Sequence, residues 1–156
     1  MGIRFVGLAS KDVAEIHAGG RDAYGNLPER FIVDGPGHPC RHCLRDIAEG
    51  EAALVLAWRP FRTRNPYAET GPIFLCAGSC AGAEPSADMP EMLSSAGYIL
   101  RGYDEGERII YGTGGVVARG EIVARAGELL AEARVAFVDI RSAANNCFQC
   151  RVLRSE

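Results

Sequence analysis

"RGEIVARAGELLAEARVAFVDI", residues 119 to 140, decides the reading of the fold, because a helical pattern hands over there to a strand pattern with no linker between them. Ile122, Val123, Ala126, Leu129, Leu130 and Ala133 recur at the spacing that lays apolar side chains along one stripe of an α-helix. Glu121 and Arg125 fall one turn apart on the wet side. "VAFVDI" then offers apolar residues to both faces, as a strand inside a sheet does. The stretch predicts one long helix packed on a sheet.

Working outward, "GYILRGY" and "ERIIYG" flank the turn "DEGE" and read as a strand pair. "RFIVDG", "EAALVLAWRP" and "GPIFLCA" have strand composition, and "CFQCRVL" resumes it after the turn-like "RSAANN". Short helices are expected at Val13 and Ile16, capped by Ser10 or Asp12 and ended by Gly19 and Gly20, in "LRDIAEG", and in "MPEMLSSAG" with Pro90 near its first turn. The fold class expected is α+β: a single globular domain over residues 1–156, with a mainly antiparallel sheet, one long helix and two or three short ones.

A chain of 156 residues, 47% hydrophobic, can bury a core without covalent staples. Neither an export signal nor an apolar run near the roughly 20 residues of a membrane span is visible, so a cytoplasmic protein with no membrane partner is expected. The net charge of −3, with acids scattered among the bases, argues against nucleic-acid binding, which needs a clustered basic face. Among 17 basic residues only Lys11 is lysine, and arginine is the better fork for carboxylate or phosphate.

In a reducing compartment the six cysteines point to metal, catalysis or burial ahead of disulfides. "HPCRHCL", residues 38 to 44, and "NNCFQC", residues 145 to 150, each carry a CxxC, a turn that brings two sulfurs to one metal. The expected zinc ligands are Cys40, Cys43, Cys147 and Cys150, with Cys80 or Cys76 as the substitute. Residues 44 to 146 separate the pairs, against roughly 15 to 20 positions in a compact ribbon. Cys76 shares a strand face with Phe74 and reads as core, whereas Cys80 lies in the freer "AGSCAG". Two other readings stand beside the metal. In one, Cys40 is a nucleophile activated by a helix N-terminus and by His42, or half of a redox pair. In the other, the cysteines are simply buried and the chain is an interaction module.

A small anionic ligand is a further expectation. Loop 59 to 72, "RPFRTRNPYAETGP", interleaves arginines with aromatics, and Asp139 and Arg141 share a face at the end of a central strand. Arg59, Tyr67 and Arg141 are the residues expected to line that pocket. "GTGGVV" lacks the lysine of a phosphate loop and reads as a hairpin turn.

Taken in order, "GHPCRHCL", "WRPF", "PYAETGPIF", "LRGYD", "VAFVDIRSA" and "NNCFQCRV" resemble the uncharacterised bacterial proteins grouped as domain of unknown function 1203. The resemblance runs from about "RFIVDG" to the end. It implies one bacterial domain and no particular activity, and its proline-cysteine-arginine corner and late cysteine correspond to Pro39, Cys40, Arg41 and Cys147.

Overall fold

The computed structural model describes residues 2–156 and runs β1 (Ile3–Val6), α1 (Ser10–His17), β2 (Glu29–Ile32), β3 (Ala52–Trp58), β4 (Gly71–Cys76), β5 (Gly97–Tyr103), β6 (Gly115–Ala118), α2 (Ile122–Ala131), β7 (Phe137–Ser142) and β8 (Phe148–Arg154). Five strands form one antiparallel sheet in the order β1-β8-β7-β5-β6, and β2-β3-β4 form a second. "VAFVDI" leads into the middle strand of the larger sheet, and "AALVLAW" is the middle strand of the smaller one, as their two-sided apolar character requires.

Alternation along the strands assigns the faces of the large sheet. Phe5, Leu100, Val138, Ile140, Cys150 and Val152 point one way and pack with Ile122, Ala126, Leu129 and Leu130 of α2. Arg101, Tyr103, Asp139, Arg141 and Arg151 point the other way, where loop 59–72 covers them. Phe61 of that loop joins Tyr103 and Phe137, and the Arg151 Nη2 donates to the Pro60 carbonyl at 2.7 Å. The small sheet has its own core, in which Val13 and Ile16 of α1 meet Val33, Cys40, Ile47, Leu56, Ile73 and Leu75.

The α+β expectation is overturned: the described residues form a two-sheet, mostly antiparallel β structure with two short α-helices and no long one. The helix expected over residues 119–134 is a 3₁₀ turn (Arg119–Glu121) followed by only 10 residues of α-helix. Its end is set from outside. Arg154 donates from Nε to the Leu130 carbonyl at 2.8 Å and from Nη2 to the Glu132 and Val135 carbonyls at 2.8 and 2.6 Å, satisfying the acceptors a longer helix would have bonded. Ala133 therefore lies beyond the helix, Val123 is exposed, and Arg125 pairs with Glu128 at 3.1 Å where Glu121 was expected.

"LRDIAEG" forms no helix because Leu44 takes a left-handed φ of 57° and Asp46 turns back to bridge Pro39. "MPEMLSSAG" gives only a turn, with Leu93 N–H on the Pro90 carbonyl at 3.1 Å. The partners of β5 are β6 and β7, not "ERIIYG", which contributes a single bridge at Ile109. No side chain caps α1, since Ser10 is engaged elsewhere. Among the described residues no helix is long and apolar enough to cross a membrane.

Candidate metal centre

Residues 39 to 46 form a tight knuckle. Its closing bonds run from the Cys40 N–H to the Arg45 carbonyl and from the Leu44 N–H to the Cys40 carbonyl, both 2.9 Å. The knuckle docks on β4: Cys40 bridges Phe74 in parallel, and the Arg41 N–H donates to the Phe74 carbonyl at 3.0 Å. This places both knuckle sulfurs at the end of β4, where Cys76 closes the strand and the following turn returns Cys80. The sulfurs of Cys40, Cys43, Cys76 and Cys80 all lie within 4.8 Å of one another. Cys40 and Cys80 are 3.9 Å apart, close to the separation of about 3.8 Å that a tetrahedron with bonds of about 2.3 Å imposes. A cation that accepts four thiolates suits this donor set.

The protons on the cluster show what such a cation would relieve. The Cys40 thiol is held down at about 4 by the Cys43 thiol and by the N–H groups of Cys43, Cys76 and His42, which outweigh its burial. Cys43 is pushed up, first because it donates to Cys40 and then by burial. Burial and the Cys40 charge push Cys76 up to about 12 and raise Cys80 as well. Without a cation the cluster holds one charge and keeps three protons; a divalent cation would take the place of those protons.

Helix α1 braces the cluster at both ends. His42 approaches the Cys80 sulfur through Nδ1 at 3.2 Å and Ser10 Oγ through Nε2 at 2.9 Å. In the tautomer protonated at Nδ1, it donates to sulfur and accepts the Ser10 hydroxyl. His17 donates from Nε2 to the Cys76 carbonyl at 2.9 Å in the tautomer protonated there. Two glycines admit the neighbouring chain. A Cβ on Gly7 would meet the His42 and Arg41 carbonyl oxygens at 2.7 and 2.9 Å, and one on Gly82 would meet His42 Nε2 at 2.8 Å.

The second pair of the expected quartet lies elsewhere. Cys150 is fully buried between the large sheet and α2, opposite Ile140, and its thiol is raised by burial. Cys147 ends the β7–β8 turn with its sulfur 3.7 Å from the Asn145 carbonyl. Alternation puts Cys76 beside Phe74, and both pack against the core of the small sheet, while the Cys76 sulfur also joins the cluster. The C-x₃-C spacing of Cys76 and Cys80 around Gly78 was the available signal. As for a nucleophile, Cys40 is 0% exposed, and the His42 ring bonds Cys80, not Cys40.

The expected anion-pocket residues are dispersed. Arg59 borders a cleft of about 450 Å³ between the sheets, with its Nε on the Phe61 carbonyl at 3.3 Å. Tyr67 bonds Tyr111 through the hydroxyls at 3.0 Å, beneath Arg108. Arg141 is buried and pairs with Glu69 at 3.1 Å, which also holds Arg101 at 3.0 Å.

The family model described as protein of unknown function (DUF1203) matches residues 37–154, a span that includes the knuckle, β4 and both CxxC pairs. The chain belongs to this family. No curated protein and no solved structure matches it.

Proposed function

We propose that this DUF1203 member binds one zinc ion through Cys40, Cys43, Cys76 and Cys80, in a closed site that fastens the knuckle to the end of β4. The observation that carries the reading is the mutual approach of four sulfurs to within 4.8 Å, from two segments that the β4 pairing brings together. Four protein ligands leave no open position for water or substrate, so the ion acts on stability and not on a reaction. His42, Ser10 and His17 orient the ligands and tie them to α1.

The test is metal analysis of protein purified without added metal, with single-site variants. About one zinc per chain is expected, lost in Cys76→Ser and Cys80→Ser and retained in Cys147→Ser. A metal-free chain from zinc-replete cells would sink the reading. So would zinc that survives Cys76→Ser but is lost in Cys147→Ser. A red, iron-loaded protein would assign the same sulfurs to iron instead.

A further inference from the structure

The large buried cations on the covered face of the five-stranded sheet are matched by acids. Arg151 meets Asp139 at 2.7 Å, and Glu69 serves both Arg101 and Arg141. Arg41 is different. It is 3% exposed, yet its side-chain bonds go to neutral carbonyls, from Nε to Phe148 at 2.7 Å and from Nη1 to Pro39 at 2.6 Å, and its guanidinium lies 5.8 Å from the centre of the Phe74 ring. Among the described residues it forms no ion pair with a carboxylate. A charge taken out of water with no carboxylate in contact is costly: burial pulls the Arg41 guanidinium down to about 10, and the nearby cysteines and Asp46 offset only part of that fall.

Arg41 lines a cleft of about 420 Å³ between the knuckle and the β7–β8 turn, a size within the roughly 300–1,000 Å³ of small-ligand sites. Apart from Asp46, the rest of its wall is neutral and rich in hydrogen-bonding residues: Ser94, Ser95, Asn145, Gln149 and Cys147. Asp46 is the one acid in the lining, and it stands exposed. Arg41 lines this cleft while its Nε is held by the Phe148 carbonyl of β8.

We infer that this cleft binds a small ligand through an oxyanion, a carboxylate or a phosphate, which gives Arg41 the ion pair that no described carboxylate makes with it. The neutral donors and acceptors around it hold the remainder of the ligand. This site is separate from the zinc reading and does not depend on it.

Cys147 lines the same cleft and reports on it. Iodoacetate and iodoacetamide deliver the same electrophilic carbon: the thiolate attacks the methylene, a C–S bond forms and iodide leaves, so only the charge of the reagent differs. With the protein as purified, labelling of Cys147 is followed by peptide mass spectrometry. The ratio of the iodoacetate rate to the iodoacetamide rate is expected to exceed that of a short cysteine peptide by about tenfold. Phosphate or acetate at millimolar concentration, against chloride at equal ionic strength, is expected to slow both reagents. The more effective of the two competitors identifies the oxyanion. Arg41→Met, which keeps the apolar stem, should bring the ratio back to the peptide value. Because that variant sits in the knuckle and can fail to fold, the competition on the unaltered protein decides by itself. A peptide-like ratio with no protection by either anion overturns the proposal.

Discussion

Asp139 is fully buried, and its two oxygens accept from Arg151 Nε at 2.7 Å and Nη2 at 3.0 Å, while that guanidinium lies over Phe137 at 3.7 Å. Burial raises the Asp139 carboxyl, and the arginine opposes that rise. Asp139→Asn would leave the guanidinium without its counter-charge, and a loss of about 3 kcal/mol is expected, read as a lower urea midpoint. Sequence alone places Asp139 and Arg141 on one face but does not identify their partners, because Arg151 and Glu69 arrive from another strand and from a distant loop. The thiols set a pH profile for the metal-free protein. In the unfolded chain they ionise near about 8.5. Cys40 ionises at about 4 when folded, so its contribution is complete above the unfolded value and fades as pH falls toward 4. Cys76 keeps its proton to about 12, so its contribution is complete below the unfolded value and is lost as pH rises toward 12. The thiol contribution to metal-free stability should therefore peak near about pH 8.5, which urea midpoints from pH 6 to 10, compared with a Cys40→Ser, Cys76→Ser double variant, would reveal.

At the level of elements, strands were easier to read than helices. Strand identity comes from alternation and from two-sided apolar runs, which are local properties of β3, β4, β5, β7 and β8. The end of α2 depends on Arg154, a residue of β8 whose approach only the folded sheet provides. Arg154→Ala should cost about 1 kcal/mol and lower amide protection in the last turn of α2, measured by hydrogen exchange. The knuckle shows the same dependence on context: "LRDIAEG" has helical composition, but Leu44 and the Pro39–Asp46 bridge fold it back. Gly7 carries the β1–α1 link across that knuckle, with the Leu8 N–H on the Arg41 carbonyl at 2.8 Å. Gly7→Ala would drive a methyl into two backbone oxygens, and a loss of about 2 kcal/mol is expected in denaturant unfolding.

Across the whole molecule, the four clustered sulfurs belong to the smaller sheet, since Cys40 packs with Val13, Ile16, Val33 and Leu75. Chelation should therefore release amide protection first in α1, β3 and β4, while β7 and β8 keep theirs, and hydrogen exchange with and without chelator would show the order. Equal release in both sheets would count against the cluster as a local fastener. The CxxC of the knuckle is legible in the sequence as one half of the cluster, and motif likeness points to Cys147 and Cys150 for the other half, with Cys80 or Cys76 as the substitute. The folded chain instead brings Cys76 and Cys80 beside the knuckle pair, through the parallel bridge from Cys40 to Phe74, a long-range pairing that spacing does not encode. The pairing of Phe5 with Val152 bears on synthesis. β2, β3 and β4 are neighbours in sequence as well as in space, so they can pair soon after leaving the ribosome, whereas β1, bridged earlier only at Phe5 to Ser86, has no partner strand until β8 has been made. A growing chain would thus complete its thiolate cradle by residue 80, while Ile3 and Phe5 still await the strand that covers them.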